Sequence, residues 1–550
     1  MTTYQTRAEV DFVVVGSGAA GGVIAKELST AGFSVVVLEQ GPYLKAADFK
    51  HDELGYIFNL ELTGPSDTRA HTFRKTEADR AQVASPGGLP VLLYAALVGG
   101  SSVHFTANFW RFHEIDFNER SVLGPIAGTG FADWPISYQE LEPYYTKVEW
   151  EVGVSGAPGP FDPPRSRPFP MPPMPVKSSG VLLERGARKL GLHAQPAPMA
   201  ILSQPHNGRS GCVHCGFCWG FGCEVGAKSS SLASMIPLAE ATGRCEIRPH
   251  STVFRLNTDA AGRVREVMYF DRDGREHAQR ARAVVLSANG AETSRLLLMS
   301  SSSQFPQGLA NSSGKVGKYL MYNGNTATQG LFEHPLNEYK SAQVTRIIWD
   351  FYRTDPRRGF YGGGGLDGRW FWYPVLFGMA ALPPDAPKWG AGYKRTLREY
   401  YNHTMDVAGH TTSLALESNN ITLDPDLKDK WGRPGIRVTY KDHPDDLKAM
   451  QFMVDRSTEV LEAAGARKVW ATPVVESAIG VHLLGTCRMG TDPRESVVDK
   501  FHRAHDVRNL FICDGSSLVT SGRGQPTMTI MALAFRAAEH IGAFARRGEI

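Results

Sequence analysis

Asp11-Phe12-Val13-Val14-Val15-Gly16-Ser17-Gly18-Ala19-Ala20-Gly21 is the stretch on which the reading of this chain turns. Residues 11–15 form a short apolar run of strand character. A glycine-rich turn follows, and residues 23–30 read as a helix. Residues 34–38 give the next strand, which closes on Glu39. Gly16 allows a tight turn, Gly18 lets main chain approach a pyrophosphate, and Gly21 lets helix and strand pack closely. Ser17, Ala19 and Ala20 fill the turn, and the helix N-terminus faces the anion. Glu39 stands where a carboxylate grips a ribose hydroxyl. The glycines alone would say little. With strand, helix and acid in place they predict a dinucleotide site, without separating a flavin from a nicotinamide cofactor.

The alternation of strand and helix implies parallel pairing with right-handed crossovers. At 550 residues the chain is too long for one simple core, so two or more domains are expected. Proline crowds residues 156–175, which reads as an extended connector. Residues 282–287 form another apolar strand, entering Ala288-Asn289-Gly290-Ala291. Residues 300–475 differ in character, with Trp349, Phe351, Tyr352, Trp370, Phe371, Trp372, Tyr373 and a glycine run at 362–365. They fit either an aromatic-lined pocket or an antiparallel sheet with aromatic cross-strand pairs. Strand character returns at 509–513, and a helix is expected over 528–543.

Apolar residues make up 42% of the chain and charged residues 21%, as in ordinary globular proteins. A formal charge of +3, from 59 basic and 56 acidic residues, gives no reason to expect nucleic-acid binding. The longest apolar stretch, residues 90–98, suits a buried strand and is too short to span a bilayer. Residues 1–10 are polar, with no signal-peptide pattern. Seven cysteines do not make a disulfide framework. Cys212, Cys215, Cys218 and Cys223 have the spacing C-x2-C-x2-C-x4-C. Thiolates this close can wrap one metal centre. An iron–sulfur cluster (3Fe-4S or 4Fe-4S) is the favoured reading, structural zinc the next, and free thiols the third. Cys245, Cys487 and Cys513 read as small buried residues.

Near the other end, Val481-His482-Leu483-Leu484-Gly485-Thr486-Cys487-Arg488-Met489-Gly490 places a histidine before a glycine turn. Asn509-Leu510-Phe511-Ile512-Cys513-Asp514-Gly515-Ser516 and Gln525-Pro526-Thr527-Met528 follow. With Asp133-Trp134-Pro135-Ile136-Ser137-Tyr138 and the turn Gly99-Gly100-Ser101-Ser102, the chain resembles the glucose–methanol–choline (GMC) oxidoreductases from its first motif to its last helix. The resemblance implies an α/β fold: a Rossmann-like FAD-binding domain and a second, substrate domain on a largely antiparallel sheet. The expected division is 1–45, 85–130, 200–299 and 476–550 for FAD, and 46–84, 131–199 and 300–475 for substrate and connectors.

The resemblance also implies roles. Asp514, Gly515, Pro526, Thr527, Gly99, Gly100, Ser101 and Val253 would border the FAD. His104 would pack near the flavin ring, donate to it, or bond to it covalently. His482 matches the family's active-site histidine, taking the hydroxyl proton while hydride leaves the same carbon for flavin N5. Gln525 stands where the family has asparagine or histidine, with the same amide groups on a longer stem.

The Cys-Gly-Phe-Cys run and Gly226-Ala227-Lys228-Ser229 are similar to the catalytic subunits of gluconate 2-dehydrogenase, sorbitol and fructose dehydrogenases and glucoside 3-dehydrogenase. That group implies a sugar or glycoside substrate, a small signal-bearing subunit, a haem c or quinone acceptor, and a place on the periplasmic side of the inner membrane; the alternative is cytoplasmic. Two other readings stand beside it: an oxygen-using oxidase of the pyranose oxidase type, and a non-catalytic flavin and metal redox subunit.

Overall fold

The computed structural model describes residues 2–62, 70–83, 91–477 and 479–550. The opening strand, Glu9–Val15, lies in the middle of a seven-stranded sheet. Val35–Leu38 and Glu276–Leu286 flank it, both parallel. Cys245–Arg248 extends the sheet on one side, and Leu510–Ile512 pairs parallel with Glu276–Leu286. The hairpin Thr252–Thr258 and Val264–Phe270 completes it in antiparallel fashion. Val13, Val14, Val35, Val36 and Val37 are fully buried. A continuous valine run is what a parallel strand covered on both faces requires. The covering helices are Ala19–Thr30, Ser231–Ala241 and Thr527–Arg546, the first packing on both of the others.

The second sheet has six strands, all antiparallel: Lys468–Ala471, Gly324–Leu331, Thr404–Thr411, Gly364–Arg369, Val344–Ile348 and Ala194–Pro196. The long helix Pro444–Ala464 covers one face. Pro444 sits at its first turn with Asp445 and Asp446, and Gly465, at φ 98°, stops it. Met453, Val460 and Leu461 of this helix are buried with Leu366, Met405 and Val407 of the sheet. The glycine run at 362–365 has a packing reason. A Cβ on Gly364 would lie 1.6 Å from the His410 carbonyl oxygen, and one on Gly365 2.3 Å from the Trp349 ring. Only glycine lets these neighbours close in.

A small third sheet joins Asn420–Lys428, Pro434–Thr439, His71–Arg74 and Gln82–Val83. The expected strand at 90–98 does not form. Pro90 lies outside the described residues, and 91–98 run irregularly, with a single bridge from Leu92 to Gly480. Val91, Leu92 and Tyr94 are buried against Tyr322, Val438 and Leu483, so this apolar run fills a small core without pairing in a sheet. The boundary expected at residues 84 and 85 also lies outside the described residues. Residues 131–199 divide between the two large sheets. Tyr138–Val148 lies on the final helix, with buried Tyr145 2.7 Å from Thr529, whereas Ser178–Lys189 lies on the six-stranded sheet. Within the motif at 133–138, Ser137 caps the first of these helices, accepting from Glu140 N.

Candidate active site

A cavity of about 480 Å³ runs between the two large sheets, from the glycine turn to the strand Gly364–Arg369. Gly16, Gly18, Ala19 and Ala20 line one end with Glu39 and Val253. Gly16 has φ 93°, and a Cβ on Gly21 would meet the Gly16 carbonyl oxygen at 1.9 Å. Gly21 therefore serves helix–strand contact behind the wall, as expected. Ser17 also stands behind, fully buried, tying the turn together. Its N–H and hydroxyl donate to Glu39 Oε2 at 3.1 and 2.7 Å, and its Oγ accepts from Gly99 N at 3.1 Å. Gly41 N donates to Glu39 Oε1 at 3.0 Å. Burial pushes the Glu39 carboxyl up in pKa, opposed by these donors.

Gly100, Ser101, His104, Asp514, Gly515, Pro526 and Thr527 line the middle. Asp514 is clamped: Oδ1 accepts from Ser516 N and Oγ at 2.8 and 2.5 Å, Oδ2 from Thr293 at 2.6 Å. The N-terminal ends of Ala19–Thr30 and Thr527–Arg546 both open on this cavity. Two helix N-termini on one cavity suit an anionic, oxygen-rich cofactor. A long cleft with a buried carboxylate at one end and this pair of helices beside it fits a flavin dinucleotide.

His482 and Gln525 face the cavity from different segments, and their side chains are in hydrogen-bonding contact. Burial lowers the pKa of His482 to about 4, aided by nearby His410, so the imidazole is neutral at ordinary pH. Asn323, absent from the sequence reading, fixes which nitrogen carries the proton. Its Nδ2 donates to the carbonyls of Thr411, Ser521 and Gly522 at 3.2 to 3.3 Å. Its Oδ1 is thereby aimed at His482 Nδ1, 2.9 Å away, which must donate. The lone pair of His482 is left on Nε2.

Behind Gln525 lies a second group that sequence reasoning missed. Gln525 Nε2 is 3.3 Å from Nδ1 of His410, a fully buried residue of Thr404–Thr411. His410 Nε2 is 2.6 Å from Asp367 Oδ2, and Asp367 is gripped by Arg369 through two parallel bonds. Burial alone would raise the Asp367 pKa; Arg369 and His410 overcome it and hold it below the usual range. Burial lowers that of His410. The only hint in the sequence is charge at positions that alternate with small and apolar residues, in Leu366-Asp367-Gly368-Arg369 and Val407-Ala408-Gly409-His410. The aromatics divide between the cavity wall and a core beside it, and that core is not built of cross-strand pairs. Phe371 lines the cavity, while Trp370, Trp372 and Phe377 form a separate core.

The four-cysteine loop lies against this cavity. Gly220 N donates to the His104 carbonyl at 2.8 Å. Lys228, fully buried, donates to the carbonyls of Phe105, Cys218 and Phe221 at 3.0, 2.6 and 2.7 Å. Trp219, inside the loop, lines the cavity. Burial pushes the Cys218 thiol up to about 12 and lowers Lys228 to about 8. Peptide N–H groups of His214 and Lys228 point at the sulfurs of Cys212 and Cys223 at 3.3 and 3.5 Å. Among the described residues, no three of these four sulfurs lie within 4.8 Å of one another; Cys215 groups instead with His51 and Glu224. A tetrahedral zinc would draw four sulfurs to about 3.8 Å apart. The donor set itself, four thiolates in one loop, is of the kind that a multinuclear cluster uses. Cys245, Cys487 and Cys513 are buried, as expected.

Family models described as GMC oxidoreductase match residues 10–322 and 415–534. The chain is 34% identical to 2-methyl-1,2-propanediol dehydrogenase of Mycolicibacterium austroafricanum, over 97% of this chain and 95% of the relative. It is 29% identical to the gluconate 2-dehydrogenase flavoprotein of Pantoea cypripedii, over 97% and 93% of the two chains. A formate oxidase of Aspergillus oryzae RIB40 shares the fold, with a TM-score of 0.67 over 99% of this chain and all of that one at 15% identity. With both halves of the family matched and the cleft built as a flavin requires, the chain belongs to the GMC oxidoreductases, FAD-dependent enzymes acting on CH–OH groups.

Proposed function

We propose that the protein is a dehydrogenase that oxidises one hydroxyl of a sugar, glycoside or related polyol, and that its electrons leave through the cysteine loop and not directly to oxygen. The observation that carries this reading is the loop's attachment. Lys228 Nζ and Gly220 N fasten it to the carbonyls of Phe105 and His104 beside the cavity. When bound, FAD supplies a two-electron acceptor for hydride, and a cluster on Cys212, Cys215, Cys218 and Cys223 would supply one-electron transfer.

The chain's own residues handle the proton and the geometry. His482 Nε2 accepts the substrate's hydroxyl proton as its C–O bond becomes a carbonyl. Asn323 keeps Nδ1 protonated throughout, so the accepting nitrogen is always the one facing the cavity. Gln525 orients the hydroxyl, its amide backed by the His410 ring at 3.3 Å. A haem c protein or quinone would take the electrons on the outer side. A small signal-bearing partner would bring the chain to the periplasmic face of the membrane. Among the described residues no helix is long and apolar enough to cross a membrane.

The test is anaerobic purification, then the visible spectrum and iron content before and after adding sugars and diols. Flavin bands on a broad brown shoulder, stoichiometric iron and substrate-induced bleaching support the reading. Peroxide formation matching turnover, with zinc or no metal, overturns it in favour of an oxidase. Failure of every alcohol to bleach the flavin favours a redox subunit without substrate.

A further inference from the structure

The line of contacts from His482 does not stop at His410. Asp367 and His410 are completely buried, whereas Arg369, 8% exposed, reaches the cavity wall. One edge of its guanidinium is occupied. Nε donates to Asp367 Oδ1 at 2.5 Å, Nη2 donates to Oδ2, and Nη2 also lies 2.7 Å from His410 Nε2. Among the described residues Nη1 has no protein partner, and Arg369 borders the cavity together with Asn325 and Phe371.

A guanidinium at a cavity wall ordinarily reads as an anion site. Here the charge is already matched by Asp367 in paired, fully buried geometry. Asp406, beside it, adds little charge of its own. It stands opposite Arg369 in the strand register, 2.5 Å from Trp372 Nε1, and burial pushes its carboxyl up to about 7. The wall therefore carries no net positive charge to hold a carboxylate. What it offers is directional N–H donation from a rigid, preorganised fork, which suits a neutral oxygen. Asn325 adds an amide beside it, held to His410 at 3.0 Å and to the Asn323 carbonyl at 3.1 Å.

We infer that Arg369, neutralised by Asp367, is the specificity-determining residue of this site, hydrogen-bonding through Nη1 a second hydroxyl of a neutral polyhydroxylated substrate while His482 and Gln525 engage the first. This rests on the dehydrogenase reading and narrows it: neutral sugars and polyols fit, and sugar acids do not.

Binding tests this apart from turnover. Holoenzyme carrying His482→Asn, which lacks the base, is titrated with glucose, each of its monodeoxy forms, sorbitol and gluconate, following perturbation of the oxidised flavin spectrum. Glucose or sorbitol should bind at least tenfold more tightly than gluconate. One deoxyglucose should lose about 10- to 100-fold in affinity, the range for a hydrogen bond to a charged group. Adding Arg369→Met should weaken glucose by the same factor and leave that deoxyglucose within threefold. Asp367→Asn, which frees the guanidinium charge, should move the preference toward gluconate. Tighter gluconate binding lost in Arg369→Met overturns the inference, as does equal weakening of every ligand or no perturbation by any neutral polyol. A parallel panel with native His482 reads bleaching. Binding that follows the expected pattern without bleaching overturns the dehydrogenase reading alone.

Discussion

Replacing Asn323 with alanine removes the group that sets the tautomer of His482 without touching substrate or flavin. In the intact site one 2.9 Å bond from His482 Nδ1 to Asn323 Oδ1 keeps the accepting lone pair on Nε2. Without it the imidazole is free to carry its proton on Nε2, where it cannot act as a base. A buried hydrogen bond of this kind is worth about 1 to 3 kcal/mol once the cost of an unsatisfied partner is included. At about 1.4 kcal/mol per decade, flavin reduction should slow by about 5- to 150-fold. The assay is stopped-flow bleaching of the flavin under anaerobic conditions at saturating substrate. The loss should fall on the rate of reduction and leave substrate affinity nearly unchanged. The same substitution deprives the carbonyls of Thr411, Ser521 and Gly522 of a donor, so thermal stability must be measured alongside. A rate within threefold of the parent, in a variant with full flavin content, refutes the tautomer argument.

The pKa of His482, near 4, sets the acid limb of turnover. A base held this low is protonated only as pH falls through about 4, so the rate of flavin reduction should be flat from about pH 5.5 to 8; a limb near 6.5 contradicts it. Lys228→Met removes the three bonds that tie the cysteine loop to Phe105. Flavin reduction should persist while reoxidation by a dye or haem acceptor slows at least tenfold, and equal effects on both half-reactions count against the loop as an exit. Cys218→Ser should abolish the brown shoulder and bound iron while flavin bands remain, as read by absorbance and metal analysis. Gly364→Ala sets a methyl 1.6 Å from the His410 carbonyl, and should cost several kcal/mol in denaturant unfolding or prevent recovery of folded protein.

The nucleotide end of the site was legible because its chemistry is local. Gly16, Gly21 and Glu39 fall within one strand–helix–strand unit, and their spacing states their use. His482 and Gln525 were legible through resemblance. Asn323, Asp367, Arg369 and His410 were not, because what brings them together is sheet register. His410 stands opposite Asn325 on one neighbour and Gly365 on the other, and nothing in either segment announces that pairing. Hydrophobic pattern fixes which face a residue takes, and leaves open which partner it meets. The run at 90–98 misled for the converse reason. Apolarity alone does not separate a strand from irregular chain filling a core. In the cysteine loop the spacing was plain, while the approach of His51 to Cys215 came from a distant segment.

The strand Leu510–Ile512 completes a sheet whose first member is Glu9–Val15, and Asp514 is clamped by Thr293. Timing of synthesis follows from this. When the first motif leaves the ribosome it has a glycine turn and no opposite wall; some five hundred residues must be made before Asp514 and the helix Thr527–Arg546 can close on it. The flavin cannot be fully gripped until those late segments have been made and folded. Until then the edge of Glu276–Leu286 that later takes Leu510–Ile512 is open to other strands, so FAD is better present while those segments fold than added to a chain that has already paired wrongly.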